Sequence, residues 1–102
     1  MVKLVVLYKK PADVRIFEDH FSSIHLPLME RVPGIVKTEL SRCFAGPTGE
    51  PPYYMLFEAY FADREALEAA LQSPENRAAD RDLMSFAQDI VTVMFADAYE
   101  SK

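Results

Sequence analysis

Apolar positions along this chain switch repeatedly between strand-like and helix-like spacing, and each switch marks an element boundary. Residues 2–8 (Val-Lys-Leu-Val-Val-Leu-Tyr) are almost continuously apolar and rich in valine, and Lys9-Lys10-Pro11 ends them, which predicts a strand. From about residue 12 the apolar side chains Phe17, Phe21, Ile24 and Leu28 recur at steps of four, three and four, the signature of a helix with that stripe turned inward. Pro11 and Asp13 suit its opening turn, and Pro33-Gly34 stops it. Pro27 lies inside this helix. It lacks an amide donor and its ring would meet the carbonyl of Ser23, so the helix is expected to kink or stop there.

Residues 35–44 read as a second strand, and the Pro/Gly-rich run 46–52 as the loop of a hairpin. Residues 53–61 form the strongest strand pattern of the chain. Asp63 caps a helix through about Gln72. Ser73 with Pro74 behind it caps another, which runs to about Phe86 with Ala79, Leu83 and Phe86 inward. Residues 90–99 close as the last strand. The order strand, helix, strand, strand, helix pair, strand is that of the ferredoxin-like split βαβ arrangement. The expected fold is therefore α+β, one domain over 1–102, with a four-stranded antiparallel sheet carrying its helices on one face.

The strands are apolar on both sides. In 53–61 one face carries Tyr53, Met55, Phe57, Ala59 and Phe61, and the other Tyr54, Leu56, Glu58 and Tyr60; Val5 and Leu7 repeat this on the first strand. A sheet with one wet face should alternate apolar with polar. Helices shelter one face only, so the second is expected to pack on a second copy, as a homodimer whose sheets meet in an α+β barrel.

Composition narrows the function classes. Sixteen acidic against eleven basic residues give a net charge of −5, which works against phosphate backbones and anionic membrane surfaces, so neither nucleic acid nor membrane is expected as a partner. One cysteine, Cys43, forms no internal disulfide, and the chain opens without a signal-peptide pattern; both fit a cytoplasmic protein. Half the residues are apolar, enough for a packed core.

Val2 to Tyr8, Phe17 to His20, His25-Leu26-Pro27-Leu28, Pro33-Gly34, Tyr53 to Phe61 and Ser73-Pro74-Glu75 together resemble the EthD family. The likeness spans nearly the whole chain and is tightest around His25. It implies membership of the dimeric α+β barrel superfamily. The family takes its name from a gene needed for bacterial degradation of ethyl tert-butyl ether, where its role is accessory. Superfamily relatives include cofactor-free monooxygenases, polyketide cyclases and muconolactone isomerases. The absence of tryptophan departs from the Asn/Trp pattern of some quinone-forming monooxygenases and speaks against that chemistry.

Both histidines lie in the proline-containing segment. On an unbroken α-helix His20 and His25 would stand about 140° apart, flanking the inward stripe. That spacing does not give two ligands on one face, and no Cys or carboxylate completes a set, so no metal site is expected. A disturbed helix would let His25 turn inward as a general acid or base, with the alternative that it merely closes the turn by hydrogen bonding. His20 is a second candidate of the same kind. Glu58, the one acid in an apolar strand interior, is expected either to couple with a helix histidine or to pair at the rim with Arg42 or a lysine. Phe21 and the hydroxyls of Tyr8, Tyr54 and Tyr60 are candidate ligand contacts. No phosphate-cradling glycine loop or Gly-x-Ser-x-Gly turn is present, and no cofactor is expected. The resulting expectation is a small organic molecule held in an apolar pocket between helix and sheet, beneath residues 20–28, with His25 acting on its protons. The alternative is a non-catalytic accessory protein using the same pocket.

Overall fold

A computed structural model describes residues 1–100. Strand β1 (Val2–Tyr8) is central: it pairs antiparallel with β3 (Met55–Phe61) on one side and β4 (Val91–Asp97) on the other, and β2 (Lys37–Arg42) completes the sheet beyond β3. The order β2-β3-β1-β4 is the expected ferredoxin-like topology. Four helical segments cover one face: α1 (Val14–His20), α2 (Leu26–Glu30), α3 (Arg64–Leu71) and α4 (Pro74–Ala87). Each expected N-cap does its work, with Asp13, Asp63 and Ser73 accepting from the amides of Ile16, Ala66 and Asn76. β2 and β3 start at Lys37 and Met55, later than the sequence pattern suggests, although the Val36 and Tyr54 amides already donate to the carbonyls of Tyr60 and Tyr8.

Alternation in β1 and β3 sends Val2, Leu4, Val6 and Tyr8 together with Met55, Phe57, Ala59 and Phe61 into the core beneath the helices. The other face is more mixed than its sequence promised. Register places Leu7 opposite Leu56 and Val5 opposite Met94, a compact apolar patch, and beside it sits a polar cluster. There Lys3 Nζ donates to Glu58 at 2.5 Å, and the Tyr60 hydroxyl donates to Glu39 at 2.7 Å. Lys37 lies 4.5 Å from the centre of the Tyr60 ring.

One helical expectation is overturned. The buried stripe of the first helix is Phe17, Phe21, His25 and Met29, whereas Ile24 is about half exposed and Leu28 only partly buried. Nor does the helix kink apart at Pro27. Residues 21–25 form a π-helical turn joining α1 to α2, and the backbone at His20, Phe21, His25 and Leu26 stays right-handed helical.

Candidate functional site

The π turn follows from Pro27. In an α-helix that residue would donate to Ser23, which proline cannot do, and its ring would press on the same carbonyl. One extra residue per turn relieves the clash: the Leu26 amide reaches back five residues to the Phe21 carbonyl. Residues five apart then stack one above the other, as residues four apart do in an α-helix. His20 and His25, separated by about 140° on a regular wheel, are thereby brought to one side.

What they meet is Asp82 of α4. His20 Nε2 lies 2.9 and 3.1 Å from the two carboxylate oxygens, and His25 Nδ1 lies 3.0 Å from Oδ2. A carboxylate only accepts, so each of those ring nitrogens carries its proton, and Nε2 is left as the basic position of His25. Phe86, one turn further along α4, packs against both imidazoles, with ring centres 4.3 Å from His20 and 5.1 Å from His25. Asp82 was absent from the sequence-derived candidates. A signal existed: Ala79, Asp82 and Phe86 follow helical steps of three and four, which places a carboxylate on the inward stripe.

Burial decides the charge state of His25. The ring is 3% exposed, and desolvation pushes its pKa below the ordinary 6.5, outweighing the attraction of Asp82; the nearby His20 pushes the same way. The folded protein therefore holds His25 neutral near pH 7, the form a base requires. The same shift sets a pH dependence of stability. Below pH 6.5 the unfolded chain takes a proton at this position before the folded protein does, so folding weakens as pH falls from 6.5 through the lower folded value, and this component levels off beneath it. Urea midpoints measured across that range should fall with acidification, and a His25→Phe variant should show a smaller decline.

Tyr8 completes the arrangement. Its side chain is fully buried, edge-on to Phe17 at 5.2 Å and to Phe21 at 5.8 Å between ring centres, and its hydroxyl has no hydrogen-bond partner among the described residues. Burial first, and the Asp82 charge second, push its pKa well upward, so the hydroxyl keeps its proton and remains a donor. Phe21 is likewise core, stacked on Phe17 and edge-on to Phe57 at 6.3 Å. Rings occupy the place beneath residues 20–28 where the pocket was expected. A cleft that reaches His20 opens elsewhere, between α1 and the C-terminal half of α4, with a volume of about 510 Å³ and Phe17 and Phe86 also in its lining.

The remaining candidates divide between the two faces of the sheet. Tyr54 stands on the helical side, its ring edge-on to Phe17 and its hydroxyl donating to Glu18. Arg42 clamps the same carboxylate through Nε and Nη2 at 2.9 and 2.8 Å and holds its pKa below the usual range. Glu58 and Tyr60 lie on the opposite face, so neither couples with a helix histidine. Alternation from buried Phe57 and Ala59 forces Glu58 outward, where it pairs with Lys3 and not with Arg42. Among the described residues no cluster of three or more His, Cys, Asp or Glu is placed to hold a metal ion.

The EthD domain model matches residues 9–90, which include the π turn, both histidines and Asp82. The chain belongs to the EthD domain family. This EthD chain is 32% identical over 97 residues to an 11.0 kDa protein of the thcB-thcC intergenic region of Rhodococcus erythropolis, covering 95% of this chain and 94% of that one. Its fold superimposes on a crystal structure of an EthD family protein from Bacillus halodurans with a TM-score of 0.94 at 34% identity, covering 97% and 99% of the two chains. A dimeric ferredoxin-like protein from Jannaschia shares the fold at 14% identity, with a TM-score of 0.72 over 95% and 98% of the chains. No helix among the described residues of the EthD chain is long and apolar enough to cross a membrane.

Proposed function

We propose that this EthD protein binds a small organic molecule beside the His20–Asp82–His25 cluster and moves a proton on it with His25 as the general base. The observation that supports this is a buried imidazole tied through Nδ1 to a carboxylate, an arrangement that fixes the tautomer and stabilises the imidazolium formed when Nε2 takes a proton. Such a step needs neither metal nor cofactor. His20 holds the carboxylate from its other side, and Tyr8 supplies a proton-bearing hydroxyl nearby. A screen of small neutral metabolites by thermal shift, followed by turnover assays, tests the reading. Turnover lost in His25→Gln with binding retained supports it; unchanged turnover removes His25 from the chemistry and leaves an accessory binding protein.

The same reading includes a homodimer built on the outer sheet face, as the dimeric ferredoxin-like relative suggests. The patch of Val5, Leu7, Leu56 and Met94 is apolar and uncovered by the chain's own helices. Sedimentation of the wild-type protein should give twice the 11.6 kDa chain mass, and Leu56→Asp should shift it to the single-chain mass. A wild-type protein that stays folded at the single-chain mass at micromolar concentration removes the dimer.

A further inference from the structure

The cleft between α1 and α4 has the volume of a small-molecule site, which typically spans about 300–1,000 Å³. Its apolar walls include Ile16, Phe17, Met84, Phe86 and Ile90, with His20, Ser85 and Gln88 as neutral polar groups at its lining. Two of these are unusual for a monomer surface, since Ile16 is 68% and Met84 40% exposed although both are fully apolar. Charge in the cleft has one sign. Asp13 and Asp89 line it, Asp82 stands behind His20, and among the described residues no lysine or arginine contributes to the walls. The Tyr8 ring packs edge-on to Phe17 of the cleft wall, and its hydroxyl is a buried donor without an acceptor among the described residues, a state that costs free energy unless something supplies one.

We propose that this cleft is the entrance and apolar seat for an uncharged small molecule bearing a carbonyl-type acceptor, with Phe86 as the ring that must swing aside for the acceptor to reach Tyr8. The proposal rests on reading the histidine cluster as the functional site. Each part has its own reason. The aromatic and aliphatic walls favour a flat apolar body. The three aspartates repel a carboxylate or phosphate. The orphan hydroxyl selects a molecule that accepts a hydrogen bond. Phe86 touches Phe17, His20 and His25 at once, at ring-centre distances of 5.5, 4.3 and 5.1 Å, so it stands between the cleft, which His20 already lines, and buried His25. With an acceptor on Tyr8, the acidic C–H beside a carbonyl would give its proton to His25 Nε2 while the C–H electron pair moves toward the oxygen that Tyr8 holds. Return of the proton balances the step without any oxidant.

Matched naphthalenes test this by titration with methyl and aromatic NMR detection on the full chain: 2-acetylnaphthalene as the neutral ketone, 2-naphthoate as its anion, 2-ethylnaphthalene without an acceptor, and 1-(2-naphthyl)ethylamine as the cation. The ketone should shift the Ile16, Met84 and Phe86 signals and bind at least about tenfold more tightly than the naphthoate. Met84→Glu, at an exposed position, should weaken it about tenfold. Tyr8→Phe should weaken the ketone severalfold and leave 2-ethylnaphthalene unchanged. Equal binding of the naphthoate, shifts confined to other surfaces, tighter binding of the amine than of the ketone, or a ketone indifferent to Tyr8→Phe each overturn the proposal. The two readings fail separately: cleft binding with turnover indifferent to His25→Gln removes the base, whereas His25-dependent turnover without cleft binding removes only the entrance.

Discussion

Asp82→Ala is expected to cost about 3 kcal/mol of folding free energy, the larger part from a stranded donor. The carboxylate is the partner of both imidazoles, and His25 is too buried for water to replace it. A buried N–H left without an acceptor costs about 1–3 kcal/mol, and the lost hydrogen bond to His20 adds to it, discounted because that ring is partly exposed. For a chain of this size the loss corresponds to a drop of roughly 15 °C in Tm. Asp82→Asn separates structure from chemistry. Its amide oxygen accepts from one ring while its NH₂ donates, so one imidazole is forced into the wrong tautomer. The fold should then survive while proton transfer at His25 falls by about 10² to 10⁴. Urea denaturation and turnover read the two effects apart; an unchanged urea midpoint in Asp82→Ala would show that the cluster contributes nothing to the fold.

A second large effect concerns the π turn. Deleting Ser23, which is exposed, removes its extra residue and lets the segment return to an α-helix. In most helices a deletion rotates everything beyond it by about 100° and scrambles the core. Here His20 and His25 would become four apart and keep their common face, so the core stripe survives. What returns is the proline clash, worth about 3 kcal/mol. The deletion alone should therefore destabilise by about that amount, and the deletion combined with Pro27→Ala should recover near wild-type stability with both imidazoles still on Asp82. A combined variant as unstable as the single deletion would mean that proline is not what the extra residue accommodates.

These two cases show what was and was not legible in the sequence. Strand order, caps and the core of β1 and β3 could be read directly, because alternation and N-cap chemistry are local. The first helix was misread from Ile24 onward because a wheel of constant pitch assigns Ile24 inward and splits the histidines. Pro27 predicts a kink or a stop, whereas the chain absorbs it by widening one turn. His25 stands out in the sequence as a titratable ring near a disturbed helix, and the structure seats it on Asp82. Asp82 does not stand out, since its importance depends on which helix packs over the π turn, a tertiary fact. Glu58 illustrates a choice the sequence left open: an isolated acid in an apolar strand admits either a histidine partner or a lysine, and strict two-residue alternation turns it to the far face, onto Lys3.

Nitrogen chemical shifts of the His25 imidazole, followed across the acid range in wild type and in Asp82→Asn, decide whether the π turn seats that ring on Asp82. A proline-driven turn that seats His25 on Asp82 should leave the proton of the neutral ring on Nδ1, with an apparent pKa below 6.5, and Asp82→Asn should disturb the titration of His25. A His25 ring protonated on Nε2 when neutral, titrating at or above 6.5 and indifferent to position 82, would contradict it.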